Sequence, residues 1–145
     1  MKIGIGSDHG GFELKESIKE YLKQEGIEYV DYGTNSTESV DYPDFGKKVA
    51  EAVVSKEVDR GIVICGTGIG ISISANKVSG IRCALCGDTF SARMSRAHNN
   101  ANVLALGGRV TGVGLALDIV KEFLEGEFEG GRHARRVNKI DEIGC

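Results

Sequence analysis

Proline occurs only once, at Pro43, in a chain of 145 residues that carries 21 glycines. That imbalance excludes proline-rich spacers and points to tight turns and close backbone approaches in a folded chain. Long apolar runs are also missing. No segment approaches the roughly 18 uninterrupted apolar residues of a membrane span. The opening MKIGIGSDHGG breaks at Ser7-Asp8-His9 before a secretory signal core could form. The expected location is the cytoplasm. Surplus positive charge is absent as well, since the formal net charge is -3. Nucleic acid and anionic membranes are therefore poor candidates for the main partner. An anionic ligand would have to meet a local cluster of cations, so the placement of the arginines matters more than their number.

Cysteine is limited to Cys65, Cys83, Cys86 and Cys145. With no sign of secretion, free thiols are expected rather than disulfides. Cys83 and Cys86 form a C-x-x-C, a spacing that invites a zinc or redox reading. They lie within Ile81-Arg82-Cys83-Ala84-Leu85-Cys86, however, which reads as a strand, and residues three apart on a strand face opposite ways. No second C-x-x-C or histidine pair completes a ligand set, so no metal is expected.

What is present is a regular alternation of apolar runs and helical stretches. Strands are expected over 2–6, 28–32, 61–65, 81–86 and 102–106, and helices over 12–24, 45–55, 71–77, 89–97 and 112–124. Gly26 is placed to stop the first helix. The third strand is almost wholly apolar, as a central parallel strand covered on both faces should be. The length fits one domain. The alternation predicts a single-domain, three-layer α/β/α, doubly wound five-stranded parallel sheet of Rossmann-like type. The charged tail over about 126–145 is too short for a second domain. In such a sheet ligands bind beyond the carboxyl ends of the strands, here the loops 7–11, 33–44, 66–70, 87–88 and 107–111.

The strongest segment is Cys65-Gly66-Thr67-Gly68-Ile69-Gly70, directly after the third strand. Glycines there let backbone N–H groups turn toward one point at a helix N-terminus, and a cysteine beside that positive end is in a setting that favours a thiolate. A glycine turn with a buried, inert cysteine is the plainer alternative. The string is not a P-loop, because G-x-x-x-x-G-K-[ST] does not occur. It is not a cysteine phosphatase loop either, since Ile71 stands where the arginine would be. Gly4-Ile5-Gly6-Ser7-Asp8-His9 nearly matches a dinucleotide fingerprint, but Asp8 would lie in the path of the pyrophosphate. Asp31 resembles the ribose-binding acid of that fold, so a nucleotide site is weakened rather than excluded.

Three more groups stand out. Asp8-His9 could cap the next helix or hold sugar hydroxyls. In Arg96-Ala97-His98-Asn99, His98 could be a helix C-cap. That loop leads into a strand, so it belongs at the opposite edge of the sheet and would serve a neighbouring subunit. Arg109, Arg132, His133, Arg135 and Arg136 are the basic groups. Arginine suits phosphate through its planar fork, and Arg132 and Arg136 share one face if the tail is helical. A solvated charge run is the alternative for the tail.

Taken together, Ser7-Asp8-His9-Gly10-Gly11-Phe12, Asp41-Tyr42-Pro43-Asp44, Cys65-Gly66-Thr67-Gly68-Ile69-Gly70-Ile71-Ser72, Ser95-Arg96-Ala97-His98-Asn99 and Gly130-Gly131-Arg132-His133 resemble the type B ribose-5-phosphate isomerases, in family order. Their relatives act on galactose 6-phosphate and allose 6-phosphate. The resemblance implies an enzyme of the pentose phosphate pathway that interconverts D-ribose 5-phosphate and D-ribulose 5-phosphate. It further implies a homodimer, or a tetramer built from it, with sites shared between subunits and the tail contacting the partner. Cys65 is then the base, His98 assists ring opening together with Asp8, and Thr67 relays a hydroxyl proton. Asn99 and the amides of Gly66, Thr67, Gly68, Ile69 and Gly70 hold the oxyanion. Asp8, His9, Arg109, Arg132 and Arg136 contact the sugar or its phosphate. Arg135 matches no functional position. Enediolate chemistry transfers no electrons to an acceptor, so no cofactor is expected. The alternatives are an isomerase of a six-carbon sugar phosphate and a non-catalytic nucleotide- or phosphosugar-binding protein.

Overall fold

A computed structural model describes residues 1–144. Five parallel strands, β1 (Lys2–Ser7), β2 (Glu28–Asp31), β3 (Arg60–Cys65), β4 (Cys83–Leu85) and β5 (Val103–Gly107), lie in the order β2-β1-β3-β5-β4. They alternate with α1 (Phe12–Gln24), α2 (Tyr42–Val54), α3 (Ile69–Asn76), α4 (Thr89–Ala97) and α5 (Val113–Glu125). A last helix, α6 (Arg132–Asp141), occupies the tail. The expected α/β/α sheet is the observed one.

The two-residue period of the strands divides the core. Ile62 and Ile64 of β3, with Leu104 and Leu106 of β5, pack with Leu14, Ile18 and Leu22 of α1 and with Ile119 and Phe123 of α5. The intervening Val63, Cys65, Val103 and Ala105 face the other way, onto Val49 and Val53 of α2 and Ile71 and Ala75 of α3. Both faces are covered, so β3 needs no polar alternation. Each fully buried Ile or Leu contributes about 2 kcal/mol. Cys83 packs against the α2/α3 face and Cys86 belongs to the other cluster, so the C-x-x-C is split across the sheet. Burial, with Cys86 nearby, pushes the Cys83 thiol up to about 12, and burial lifts Cys86 to about 11. Cys65, Cys83 and Cys86 are free thiols, and Cys145 lies outside the described residues.

Several boundaries shift from expectation. Helix α2 starts at Tyr42 rather than near residue 45, with Asp41 as N-cap and Pro43 in the first turn, where a missing N–H costs nothing. Gly26 takes φ 69 just past α1, as a C-terminal stop requires. Strand β4 shrinks to three residues at the sheet edge.

Strand order places the functional edge. After β1 the chain leaves on the α1/α5 face, and after its neighbour β3 it leaves on the α2/α3 face. A crevice opens where adjacent strands part in this way. Strand β5, also beside β3, sends its chain to the α5 side. Cys65, at the carboxyl end of the central strand, therefore has a parting on either side.

Candidate active site

The loop after β3 is shaped around Cys65. Gly68 caps α3 with φ 81, and a Cβ there would lie 2.5 Å from Leu85 Cδ1; only glycine fits. This turn lets the Gly68 N–H donate to Cys65 Sγ at 3.1 Å, in a buried setting. Thr67 Oγ1 accepts from the Ile69 N–H at 3.2 Å, and Thr67 itself is exposed. The first-turn amides of α3, Gly70 among them, have no partner within the helix.

Loops from β1 and β5 close on this turn backbone to backbone. A Cβ at Gly107 would lie 2.6 Å from the Thr67 carbonyl oxygen. Gly108 donates to the Cys65 carbonyl and Arg109 N–H to the Gly66 carbonyl, at 2.8 and 2.9 Å. The Arg109 guanidinium lies over Gly66. On the other side Asp8, buried, accepts from the Gly11 N–H at 3.1 Å, and its own N–H bonds the Ile64 carbonyl at 3.2 Å. Asp8 thus braces the turn before α1, whose N-cap is Gly11 with no side-chain cap. His9 Nδ1 accepts from the Val40 N–H at 3.2 Å, which leaves Nε2 to carry the ring proton. Cys65, Gly66, Thr67, Gly68, Ile69, Gly70, Asp8, His9 and Arg109 therefore share one edge of the sheet.

Asp31 does not serve as a ribose-binding acid here. Its carboxylate takes Lys15 Nζ at 2.6 Å, Lys19 Nζ at 2.8 Å and the Gly33 N–H at 2.8 Å, and Lys15 is fully buried. The weakened nucleotide reading loses its one supporting residue.

The remaining expected residues gather at the opposite end of the sheet. His98 is the C-cap of α4, and the chain then passes through Asn99 into β5. Val103 pairs with Gly61 and Gly107 with Cys65. Four strand steps thus separate the start of β5 from the cysteine, about 13 Å. The His98 ring stacks on His133, with centroids 4.1 Å apart and planes 8° apart. Glu129 Oε1 lies 3.5 Å from His133 Nε2 and 3.9 Å from His98 Nε2. Helix α6 does form, so Arg132 and Arg136 share a face and their charges, like that of His98, act on His133. One chain thus holds two clusters at opposite edges, and His98, Asn99, Arg132 and Arg136 do not meet its own Cys65.

Glu129 was not singled out from the sequence, and His133 entered only as one of the basic groups of the tail and in the family string, without a pairing to Glu129. The available signal was their spacing of four along the tail, hidden by the glycines between them. With His98 they also bring three metal-capable atoms within 4.8 Å. The stacking argues against an ion in this arrangement. Imidazole donates in its ring plane, and two parallel planes one ring-thickness apart cannot both contain one metal. The buried His133 Nε2 has no hydrogen-bond partner.

A family model described as Ribose/Galactose Isomerase matches residues 3–140. Ribose-5-phosphate isomerase B of Escherichia coli is 52% identical over 98% of this chain and 95% of its own. A D-erythrulose-4-phosphate isomerase of Pectobacterium atrosepticum is 48% identical over 97% and 93%. The solved structure of Clostridium thermocellum ribose-5-phosphate isomerase B superposes with a TM-score of 0.98 at 68% identity, covering 99% of this chain and 97% of that one.

Proposed function

The chain belongs to the ribose/galactose isomerase family, and from that footing we propose that it interconverts D-ribose 5-phosphate and D-ribulose 5-phosphate through an enediolate. The observation that carries this reading is Cys65 at the tip of β3, its sulfur held by the Gly68 N–H at the N-terminus of α3. Asp8, His9 and Arg109 approach the same glycine turn.

Ribose 5-phosphate is mostly a closed ring, so its hemiacetal must first open. His98 and Asp8 move the proton from the C1 hydroxyl and supply one to the ring oxygen. Cys65 as thiolate then takes the C2 proton, and the electron pair moves onto the C1 oxygen. The enediolate charge falls among the amides of the Gly66 to Gly70 turn and the Asn99 side chain. One such donor is worth about 3 kcal/mol in the transition state. Cys65 returns the proton to C1, and Thr67 relays the hydroxyl proton from O2 toward O1. Arg109, Arg132, Arg136 and His9 hold the phosphate and sugar, and that remote binding energy aligns C1 and C2 with the sulfur.

These roles need both clusters in one place. A two-fold axis that sets two sheets head to tail brings the Cys65 edge of one subunit against the His98 edge of the other, twice. A homodimer with shared sites is the assembly we infer, with the tail reaching into the partner. Exposed Ile69, Ile73 and Leu85 beside the Cys65 loop, and Phe90 at the start of α4, offer apolar area for such a contact. We place the enzyme in the cytoplasm, consistent with its free thiols; among the described residues no helix is long and apolar enough to cross a membrane. The Pectobacterium relative bears the name of a four-carbon substrate, so chain length is a variable within the fold.

The test is turnover of ribose 5-phosphate with a chelator present, for the unaltered protein and for Cys65→Ala. Conversion that survives chelation and collapses in the variant supports the reading. Equal turnover in both removes Cys65 from the chemistry. No turnover by folded protein moves the assignment to four- or six-carbon phosphates, tested in the same assay.

A further inference from the structure

Two arginines at the sheet edge remote from Cys65 take no part in the chemistry above, yet they hold the segments that carry His98 and α6. Arg96, in the last turn of α4, is 6% exposed. Its Nη1 donates to Asn100 Oδ1 at 3.0 Å and to the Ala101 carbonyl at 2.6 Å, and its Nε donates to the Gly126 carbonyl at 3.3 Å. Burial, with the Arg60 and Arg82 charges nearby, brings its pKa down to about 10, which leaves it protonated at neutral pH. Arg82, just before β4, donates from Nε to the Asn100 carbonyl at 3.0 Å and from Nη1 to Asp141 Oδ1 at 3.0 Å.

The anchoring points are telling. Gly126 is where the chain leaves α5, and Asp141 is the last residue of α6. Glu129, Arg132, His133 and Arg136 all lie between them. The loop gripped on the other side is 98–101, the one that presents His98 and Asn99. Within it Asn100 takes φ 47, in the left-handed region. Arg96 engages the Asn100 side chain and Arg82 its carbonyl, so the two guanidiniums meet on the residue that turns the loop. The Glu129 N–H adds a bond to the Ala97 carbonyl at 3.0 Å.

We propose that Arg82 and Arg96 are positioning residues that clamp both ends of the 126–141 segment onto the 98–101 loop, so that His98, Asn99 and the cations of α6 reach the partner's cysteine as one preformed unit. Planar forks suit the task, because each must hold acceptors on two separate segments in fixed directions, which a lysine ammonium cannot do. The proposal rests on the functional reading above.

Arg82→Gln and Arg96→Lys in the full chain, compared with the unaltered protein, test it. Amide hydrogen exchange over 98–101 and α6 should speed up at least tenfold in each variant, with α1 and β3 unchanged. The KM for ribose 5-phosphate should rise at least fivefold as Arg132 and Arg136 lose register, and kcat should fall at least tenfold as His98 does. A purely stabilising role would lower the melting temperature and leave KM and kcat unchanged at temperatures well below it; that outcome overturns the proposal, as does unaltered exchange. If Arg96→Lys fails to fold, the half-buried Arg82 decides alone. If the unaltered protein does not turn over ribose 5-phosphate, the functional reading fails instead, and hydrogen exchange still decides whether the clamp exists.

Discussion

The imidazoles of His98 and His133 lie stacked 4.1 Å apart, and both present Nε2 to one carboxylate oxygen of Glu129. Two imidazoliums so close would repel each other. Burial, followed by the His98 and Arg132 charges, holds His133 below the ordinary histidine range, with Glu129 pulling the other way.

A pH dependence of stability follows. The folded pKa of His133 is depressed, so the unfolded chain binds this proton first on acidification. Stability is complete above the unfolded value, about 6.5, and is lost as the pH falls from there through the folded value. Melting temperature should drop between pH 7 and 5, and His133→Gln should flatten that slope. A slope unchanged in the variant would assign the effect to other groups.

Asp31 faces the fully buried Lys15 at 2.6 Å. Removing its charge leaves the buried Lys15 cation only the longer contact to Glu16 Oε2 at 3.4 Å, so Asp31→Asn should cost about 3 kcal/mol in urea unfolding. Lys15→Met in the same chain should recover most of that loss. Burial alone would push the Asp31 carboxyl up, but bonds from Lys15, Lys19 and Gly33 outweigh it and leave the pKa lowered. Its contribution is therefore present above pH about 4 and lost as the pH falls further.

Gly68→Ala would place a Cβ 2.5 Å from Leu85 and 2.9 Å from the Leu106 carbonyl oxygen at φ 81. A cost of about 2 kcal/mol and a kcat reduced at least tenfold are expected, because the N–H that meets Cys65 Sγ moves with the turn. Gly112→Ala, where nothing lies within 4 Å, is the control and should leave both nearly unchanged. Similar losses in the two variants would detach the effect from the cysteine turn.

The sheet was legible because β3 and β5 are covered on both faces and read as unbroken apolar runs. The Cys65 half of the site was legible for a related reason: Asp8, the glycine turn and Arg109 sit within a few residues of strand ends, where topology fixes their common edge. The start of α2 was not, since Asp41-Tyr42-Pro43 reads as the end of a loop until Asp41 is seen as an N-cap. Lys15 looks like a solvent-facing helix residue, and only β2 lying alongside brings Asp31 to it. The stack of His98 on His133 joins the end of α4 to the tail through a long-range contact, which no local periodicity encodes. The roles of Arg82 and Arg96 were hidden likewise, because half of their side-chain hydrogen bonds go to backbone carbonyls and the rest to residues distant in fold or loop context.

The most direct measurement mixes two inactive variants, Cys65→Ala and His98→Asn, under conditions that let subunits exchange. With sites shared across a two-fold dimer, each mixed dimer holds one doubly altered site and one intact site. Random exchange at equal amounts should then restore about a quarter of the unaltered ribose 5-phosphate turnover, since half the dimers are mixed. Absence of any recovery, with subunit exchange shown independently, would mean that Cys65 and His98 act within one chain or not together, and the shared-site account would be wrong.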